Sequence, residues 1–385
     1  MMHRIGIAVV GMGWMGTQHS ESYLQVPKRF AFSEIVPDLV VCVDEVEARA
    51  RAAQSKLGFQ RYALDLQDAL NDPEVQVVNI CTPNNLHLPV ALAAAKAGKH
   101  IFCEKPVGRT PEETEQIAAA AREAGVLSFV GYNYRWAPLV QYAKQLIQEG
   151  RIGDITHYRG RFFAGYATNP NAVLSWRFQS EVAGLGSTAD LLSHVTDMAH
   201  MLAGPIRRVV ANRETFIPKR PLATPGEGTH FTVRTEGPMG EVTNEDYVGA
   251  LVTFANGAQG TLEACRVING PQCEMAFELN GTRGALRWNF ERMNELEVMF
   301  SDGADAPEGY TRLLSGPQYP FHAAFNPGYG VGLGYADLKT IEAFQFLQSI
   351  VNGKQGAPGL DDAAAVARVI QAIQKSWDSE RWENV

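Results

Sequence analysis

Short apolar runs alternate with helix-length amphipathic segments in the first third of the chain. The runs that fit buried strands are residues 5–10, 39–43, 75–81, 100–103 and 128–131. Because both faces of each run are apolar, they predict a parallel sheet that is covered on both sides. Segments 85–98 and 111–125 are rich in alanine and stop at glycine, which is typical of crossover helices. The pattern predicts an α/β domain with a doubly wound parallel sheet over residues 1–131.

Beyond about residue 135, longer strands follow one another directly. Residues 247–254 and 258–267 flank Asn256-Gly257, a dipeptide that favours the positive φ angles of a tight hairpin turn. The pattern predicts an α+β domain over residues 132–385 that contains a large, open, mainly antiparallel sheet. Further strands are expected at 273–279 and 285–290, helices at 138–149, 186–203, 336–352 and 361–378, and long surface loops at 218–240 and 302–334. The last two helices can pack back on the first domain.

Composition excludes several classes of protein. The chain of 385 residues has a formal net charge of −8, and no run of Lys or Arg could neutralise a phosphate backbone repeatedly, so we expect no nucleic-acid partner. The five cysteines form no CxxC pair, which indicates buried thiols in a reducing compartment and no metal site. No secretion signal and no apolar run of membrane-spanning length occurs, so we expect a soluble, cytoplasmic protein without a membrane partner.

A glycine-rich turn follows the first predicted strand. The turn is Gly11-Met12-Gly13-Trp14-Met15-Gly16, and a helix is expected after it over residues 15–24. The first glycine allows the tight turn, the second lets a pyrophosphate approach the backbone, and the third permits close helix packing. The position at the start of a βαβ unit predicts a dinucleotide-binding Rossmann domain, with a purely structural glycine turn as the alternative.

Asp44 closes the second predicted strand, where an acid accepts hydrogen bonds from the adenosine ribose. It lies further beyond Gly16 than the usual spacing of about 20 positions. We interpret residues 27–38 as an insertion between helix and strand. No arginine follows before Arg49, so NAD is expected in preference to NADP. The alternative is that Asp44 is only a helix cap.

Two further segments follow strands at the edge where doubly wound sheets bind ligands. They are Thr82-Pro83-Asn84 and Glu104-Lys105-Pro106. Pro106 keeps Lys105 out of the helical conformation and presents its ammonium toward the crevice. A surface lysine at the start of a loop is the alternative.

A glycine-rich approach to a helix occupies residues 184–194. Asp190 and His194 are four positions apart and share one helix face, which Asp197 and Met201 extend. A carboxylate beside a histidine raises its basicity, which suits a proton acceptor near neutral pH. The alternative is a capping acid and an ordinary core histidine.

Together, these motifs resemble those of the glucose-fructose oxidoreductase, inositol dehydrogenase and MocA family over most of the chain. The resemblance implies that Lys105, Asp190 and His194 are the catalytic residues and that no metal is needed. It also implies a cofactor crevice, and the cofactor-binding set becomes Gly11, Gly13, Trp14, Met15, Gly16, Asp44, Thr82, Pro83, Asn84, His87, Glu104, Lys105 and Asn133.

Tyr132-Asn133-Tyr134-Arg135 and Ser175-Trp176-Arg177-Phe178 look like tracts of the sugar dehydrogenases in this family, including the levoglucosan dehydrogenases. The region before Asp44 and residues 326–335 look similar too. Trp176 offers an apolar face to a sugar ring, and Arg135 and Arg177 can donate to hydroxyls or, alternatively, form scaffold ion pairs. The expected substrate-binding set is Lys105, Tyr134, Arg135, Trp176, Arg177, Asp190 and His194.

The expected reaction is reversible, NAD-dependent oxidation of a secondary hydroxyl on a sugar, anhydrosugar, glycoside or inositol to a ketone. One alternative is a glycoside-cleaving or epimerising enzyme that retains its NAD, and another is a non-catalytic dinucleotide sensor. Apolar alternate positions at Leu251, Thr253, Phe254, Leu262 and Cys265 predict an exposed sheet face. We therefore expect a homo-oligomer that forms through that face, either a dimer or a tetramer, with the tetramer preferred. Residues 132–385 are thus expected to serve both substrate binding and oligomerisation.

Overall fold

The computed structural model describes residues 2–223, 231–301 and 309–385. Two compact units divide the chain. The first unit contains residues 1–136, 324–327 and 333–364, and the second contains 137–323, 328–332 and 365–385. The domain boundary expected after residue 131 stays a prediction.

Strands and helices are numbered in chain order. The strands are β1 (His3–Val10), β2 (Ile35–Val43), β3 (Arg61–Ala63), β4 (Val77–Ile80), β5 (His100–Cys103), β6 (Ser128–Val130), β7 (Ile155–Ala164), β8 (Ile206–Glu214), β9 (Lys219–Pro221), β10 (Met239–Glu241), β11 (Tyr247–Phe254), β12 (Gln259–Cys265), β13 (Cys273–Gly281), β14 (Gly284–Asn289), β15 (Glu295–Phe300), β16 (Thr311–Leu314) and β17 (Glu383–Asn384). The helices are α1 (Trp14–Arg29), α2 (Glu47–Leu57), α3 (Leu66–Leu70), α4 (His87–Lys96), α5 (Pro111–Ala124), α6 (Pro138–Gln148), α7 (Ser180–Ala183), α8 (Ser193–Ala203), α9 (Tyr335–Val351) and α10 (Leu360–Ser379).

The first unit is built on a parallel sheet of the order β3-β2-β1-β4-β5-β6. All four residues of β4 and the last six of β1 are buried, as expected for central strands covered on both faces. The strand order reverses between β1 and β4, which is where such sheets bind ligands. The predicted doubly wound sheet is therefore confirmed.

Two local predictions in this unit were wrong. The strand β3 was missed, because its three residues contain no apolar run. Residues 27–38 do not lie between the helix and the strand as predicted, because α1 continues through Pro27 to Arg29 and β2 already begins at Ile35. Pro27 has no N–H to donate to the carbonyl four residues back, so the helix lacks one backbone hydrogen bond there.

The second unit is built on a sheet of the order β16-β15-β14-β13-β7-β12-β11-β8-β17. Its pairs are antiparallel except for β12 and β7, which run parallel. The predicted large and mainly antiparallel sheet is confirmed. The predicted loops at 218–240 and 302–334 contain short strands, β9, β10 and β16, while residues 224–230 and 302–308 lie outside the described part of the chain.

The exposed face of this sheet differs from the expectation. Of the five positions predicted to form an apolar face, Leu251 is 53% exposed, whereas Thr253, Phe254, Leu262 and Cys265 are buried. Charged side chains on the outer face of the sheet instead form ion pairs between neighbouring strands. The pairs are Arg159 with Glu278, Arg161 with Glu274 and Arg287 with Glu297. Four of the five predicted positions therefore lie inside the unit. The apolar sheet face that was expected to form the interface is not exposed, so that prediction was wrong.

No helix in the described residues combines the length and the apolar character that a membrane crossing requires.

Candidate functional site

The glycine turn between β1 and α1 has the shape that a dinucleotide requires. Gly11 has a φ of +92°, and a Cβ there would lie 2.8 Å from the backbone of Cys81. A Cβ on Gly16 would lie 2.0 Å from the carbonyl oxygen of Gly11. A Cβ on Gly13, in contrast, would meet no atom within 4 Å, so the space beside the start of α1 is open. The turn therefore packs tightly inside and leaves room at a helix N-terminus, where a pyrophosphate is favoured.

Asp44 lies at the carboxyl end of β2 and is buried. Its Oδ2 accepts a hydrogen bond from the backbone N–H of Met12 at 2.9 Å, and its Oδ1 accepts one from Val46 at 2.9 Å. Nε of Arg49 lies 3.5 Å from Oδ1. The expectation that no cation adjoins Asp44 was therefore wrong, because α2 begins at Glu47 and brings Arg49 back toward the strand end.

Buried polar atoms at this edge of the first unit have no hydrogen-bond partner among the described residues. They include the hydroxyl of Thr82 and the side-chain nitrogen of Asn133. Buried polar groups are normally satisfied, so such atoms point to a polar ligand. Together with the glycine turn, they fit a bound dinucleotide.

His87 joins the loops that follow β4 and β5. Its Nε2 lies 2.9 Å from the carbonyl oxygen of Thr82, and its Nδ1 lies 2.9 Å from that of Pro106. Burial lowers the pKa of His87, although these backbone contacts oppose the effect. The side chain predicted to bind cofactor is thus engaged with backbone carbonyls, and it fixes two crevice loops to each other.

Glu104 and Lys105 follow β5, and the peptide bond from Lys105 to Pro106 is cis. Oε1 of Glu104 lies 2.7 Å from Nε2 of His19 and 2.7 Å from Nζ of Lys339. Its Oε2 accepts the backbone N–H of Lys105 at 3.2 Å. The side chain of Glu104 therefore turns into the first unit, while Lys105 is half-buried.

Aromatic side chains stand beside the glycine turn. The ring of Trp14, which is 67% exposed, stacks on Tyr335 with centroids 5.8 Å apart and planes 16° apart. Tyr134 meets Tyr335 edge-on at 6.5 Å. Sequence reasoning did not single out Tyr335, whose one available signal was its place in the region 326–335 that resembles sugar dehydrogenases. Asn84 and Arg135, also predicted, are buried in the same unit.

Asp190 lies in the second unit, in a π-helical turn (Thr188–Leu192) that leads into α8. The hydroxyl of Tyr166 donates to its Oδ2 at 2.8 Å, and Nη1 of Arg177 lies 3.6 Å from its Oδ1. The sequence pattern did not predict a role for Tyr166. The only signal for it was an aromatic hydroxyl just past the end of β7.

His194 is buried on α8, with its ring 5.9 Å from that of Phe162 on β7. The helix approaches the strand closely at Gly160, where a Cβ would lie 2.6 Å from Cγ1 of Val195. This close packing holds the helix that carries His194 against the sheet. Asp190 and His194 thus stand on consecutive helical turns of the second unit, and Lys105 belongs to the first.

Trp176 and Arg177 precede α7. The guanidinium of Arg177 lies 4.6 Å from the centroid of the Trp176 ring, in addition to its contact with Asp190. The carbonyl oxygen of Arg177 accepts hydrogen bonds from Asn244 at 3.0 Å and from Arg266 at 3.3 Å. Arg177 is therefore an ion-pair partner of Asp190, which is the alternative that the sequence left open.

Comparison with known proteins agrees with this geometry. The model of an oxidoreductase family with an NAD-binding Rossmann fold, GFO_IDH_MocA, matches residues 5–132, and that of the GFO/IDH/MocA C-terminal domain matches residues 140–287. The chain is 39% identical over 386 residues to the levoglucosan dehydrogenase of Pseudarthrobacter phenanthrenivorans, covering 100% of this chain and 99% of that relative. It is 24% identical over 377 residues to the myo-inositol 2-dehydrogenase of Thermotoga maritima, covering 97% of each.

Solved structures give the same relation. A levoglucosan dehydrogenase in complex with NADH and levoglucosan matches with a TM-score of 0.93 and 36% identity over 100% of each chain. Another, in complex with NADH and L-sorbose, matches with a TM-score of 0.94 and 38% identity over 99% of this chain and 98% of that one. These matches confirm NAD as the cofactor, as predicted from the glycine turn together with Asp44. The chain therefore belongs to the Gfo/Idh/MocA family of NAD-binding oxidoreductases.

Proposed function

We propose that this protein is an NAD-dependent dehydrogenase that reversibly oxidises a secondary hydroxyl of a sugar, anhydrosugar, glycoside or inositol ring to a ketone. The observation that carries the proposal is the full-length similarity to a levoglucosan dehydrogenase, whose named substrate is an anhydrosugar. The likeness to a myo-inositol dehydrogenase supports the wider class of ring polyols.

In the proposed reaction, His194 accepts the proton of the reacting hydroxyl. Lys105 donates a hydrogen bond to the same oxygen and stabilises the negative charge that develops on it. Asp190 orients His194 and accepts a hydrogen bond from a neighbouring hydroxyl of the ring. When bound, NAD supplies the hydride acceptor.

The contacts of Asp190 support its role as an anion. Tyr166 donates to one carboxylate oxygen at 2.8 Å, and the cationic Arg177 lies 3.6 Å from the other. Both contacts favour the charged form of the carboxylate.

Residues of the first unit would hold the dinucleotide. The open space beside Gly13 and the N-terminus of α1 suit its pyrophosphate, and Asp44 suits the adenosine ribose. Thr82 and Asn133 offer buried polar atoms for its remaining polar groups. We propose that NAD is preferred over NADP, because the carboxylate of Asp44 repels a 2'-phosphate, although Arg49 weakens this repulsion.

Trp176 is half-buried and offers a flat apolar face to the substrate ring. Tyr134 and Arg135 complete the proposed substrate-binding set with Lys105 and Arg177. We also propose that the protein is a cytoplasmic homo-oligomer. The five free cysteines suit a reducing compartment, and the ion-paired face of the large sheet can meet a second copy.

The test is a panel of levoglucosan, inositols, pentoses and glycosides assayed with NAD and with NADP, following NADH absorbance and identifying the product by NMR. We expect NADH and a ketone to form in equal amounts with at least one ring polyol. A product without free NADH would instead identify an enzyme that retains its cofactor. NAD binding without turnover of any sugar would identify a sensor.

A further inference from the structure

A buried ionic cluster lies inside the first unit, beneath the loop that carries Lys105. We define it as His19 on α1, Glu104 after β5, and Lys339 and Glu342 on α9. No member is more than 6% exposed. Charged side chains are almost never fully buried unless they are paired, so the contacts within the cluster explain its existence.

Glu104 is the centre of the cluster. Its Oε1 lies 2.7 Å from Nζ of Lys339 and 2.7 Å from Nε2 of His19. Nζ of Lys339 also lies 3.0 Å from Oε2 of Glu342. A single carboxylate therefore ties together the end of β5, the helix that follows the glycine turn, and α9.

The charges of the cluster follow from these contacts. Burial would raise the pKa of Glu104, but Lys339 and His19 outweigh it and hold that pKa well below its usual range. Burial, with Lys339 adding to it, lowers the pKa of His19 to about 4, so its imidazole is neutral near pH 7. At neutral pH, Glu104 is thus an anion whose main counter-charge is Lys339.

The other oxygen of Glu104 connects the cluster to the proposed catalytic lysine. Oε2 accepts the backbone N–H of Lys105 at 3.2 Å. The carboxylate lies against the backbone of Gly131, because a Cβ at that position would lie 2.6 Å from Oε1 and only glycine leaves room for it. Lys339 fixes Glu104, and Glu104 fixes the backbone from which the side chain of Lys105 extends.

We propose that Lys339 is a positioning residue that holds Lys105 in place through the carboxylate of Glu104. The inference rests on the proposed function, in which Lys105 donates to the reacting oxygen. A well-packed apolar cluster is often at least as stable as a buried ion pair, so positioning explains these charges better than stability does. Without Lys339, the buried carboxylate loses its counter-charge, and the loop that it holds loses a fixed acceptor.

A double-mutant cycle tests this inference. Lys339→Met removes the ammonium and keeps the unbranched stem. We expect kcat to fall about 10- to 100-fold, because small displacements of a reacting group are costly. The Kd for NAD should stay within about threefold, since the glycine turn is untouched. In the Lys105→Ala background, Lys339→Met should cause no further loss, because Lys339 acts through Lys105.

Lys99→Met is the matched control. Lys99 is a lysine of the same unit whose Nζ donates to the backbone carbonyls of Asp72 and Val75, at 2.9 and 2.7 Å. Its loss should lower the melting temperature and leave kcat unchanged when assayed below that temperature. Should Lys339→Met fail to fold, Glu104→Gln enters the same cycle, because it keeps the shape of the side chain and removes the charge.

Normal kcat in Lys339→Met would overturn the inference. A loss of kcat that persists undiminished in the Lys105→Ala background would also overturn it, because Lys339 would then act on the fold and not on Lys105. Normal turnover in Lys105→Ala alone would have a different meaning. It would refute the role given to Lys105 in the proposed function.

Discussion

The hydroxyl of Tyr166 donates a 2.8 Å hydrogen bond to Oδ2 of Asp190. Burial, with the charge of Asp190 adding to it, raises the pKa of Tyr166 far above its usual value, so the phenol remains a donor at any pH of assay. Arg177 faces the other oxygen of the same carboxylate at 3.6 Å. Asp190 is thereby held in one orientation from two sides before any substrate arrives, which is what a group that orients a catalytic base requires.

Tyr166→Phe should lower turnover about 10- to 100-fold, since a hydrogen bond to a charged group contributes about 1.5–3 kcal/mol. NAD affinity should not change. The measurement is kcat and KM beside an NAD titration. Tyr142→Phe is the control, because Tyr142 lies in the same unit and contacts Tyr319. Equal turnover in the two variants would show that the Tyr166 hydroxyl does not support catalysis.

His194→Ala should lower turnover about 10²- to 10⁴-fold, because it removes the proton acceptor from the transition state. The Kd for NAD should barely move, since we propose that the glycine turn and Asp44 hold the dinucleotide. His157→Ala provides the control, because His157 is an exposed histidine on β7 of the same unit. Near-normal turnover in His194→Ala would make that residue an ordinary core histidine and refute its proposed role.

Hydrophobic periodicity predicted the two sheets, because strand burial repeats locally along the chain. It placed β11 within 247–254, as observed. It missed β3, which is too short to show a period, and it misassigned the outer face of the second sheet, because alternation shows that one face is buried without showing which.

The cofactor-binding turn could be predicted because its motif lies in consecutive residues. The glycine turn from Gly11 to Gly16 carries the dinucleotide-binding fingerprint in six consecutive positions. The catalytic roles of Lys105, Asp190 and His194 rest on the family resemblance and stay predictions. Lys339 could not be found this way, because 235 positions separate it from Glu104 and only the fold makes them neighbours. Tyr166 was missed because its partner Asp190 lies 24 positions further along the chain. Arg49 was visible in the sequence, but its approach to Asp44 depends on the path of the chain into α2, which the sequence pattern does not show.

The cofactor preference should depend on Asp44. We expect higher kcat/KM with NAD than with NADP for the unmodified protein. Asp44→Ser should raise the relative efficiency with NADP at least about tenfold, because like charges in a binding site cost several kcal/mol. Arg49→Ala in that background should reduce the gain, because Arg49 lies 3.5 Å from Asp44 and is the cation that a 2'-phosphate would meet. A preference of the unmodified protein for NADP would refute this interpretation of Asp44.

The oligomer, if it forms through the large sheet, should be held by charged side chains. Light scattering at micromolar concentration should give a multiple of the chain mass of 42.2 kDa, with four copies expected. Arg161→Glu places a second carboxylate beside Glu274 and removes the ion pair between β7 and β13. This variant should weaken the assembly. Arg122→Glu, on α5 of the first unit, is the control, since that side chain pairs with Asp361 outside the second sheet. A monomer mass for the unmodified protein would exclude the oligomer.

Glu342 should make the stability of the protein depend on pH. Burial raises the pKa of Glu342 to about 8, although Lys339 opposes the effect. Its carboxyl therefore ionises near pH 4.5 in the unfolded chain but only near pH 8 in the folded one, so the free energy of unfolding falls as pH rises between these values, by at most about 1.4 kcal/mol per pH unit. Glu342→Gln cannot ionise and should lack this fall.

The melting temperature of Glu342→Gln, relative to the unmodified protein, should therefore rise from pH 6 to pH 8. The groups that face Glu342 are Tyr23, Cys81, Glu104, Arg135 and Lys339, and all of them remain in the variant. Glu149→Gln is the control, because Glu149 is an exposed carboxylate outside the buried cluster. If both variants keep a constant offset across this range, Glu342 is already ionised in the folded protein, and the cluster holds two carboxylates against one lysine at neutral pH.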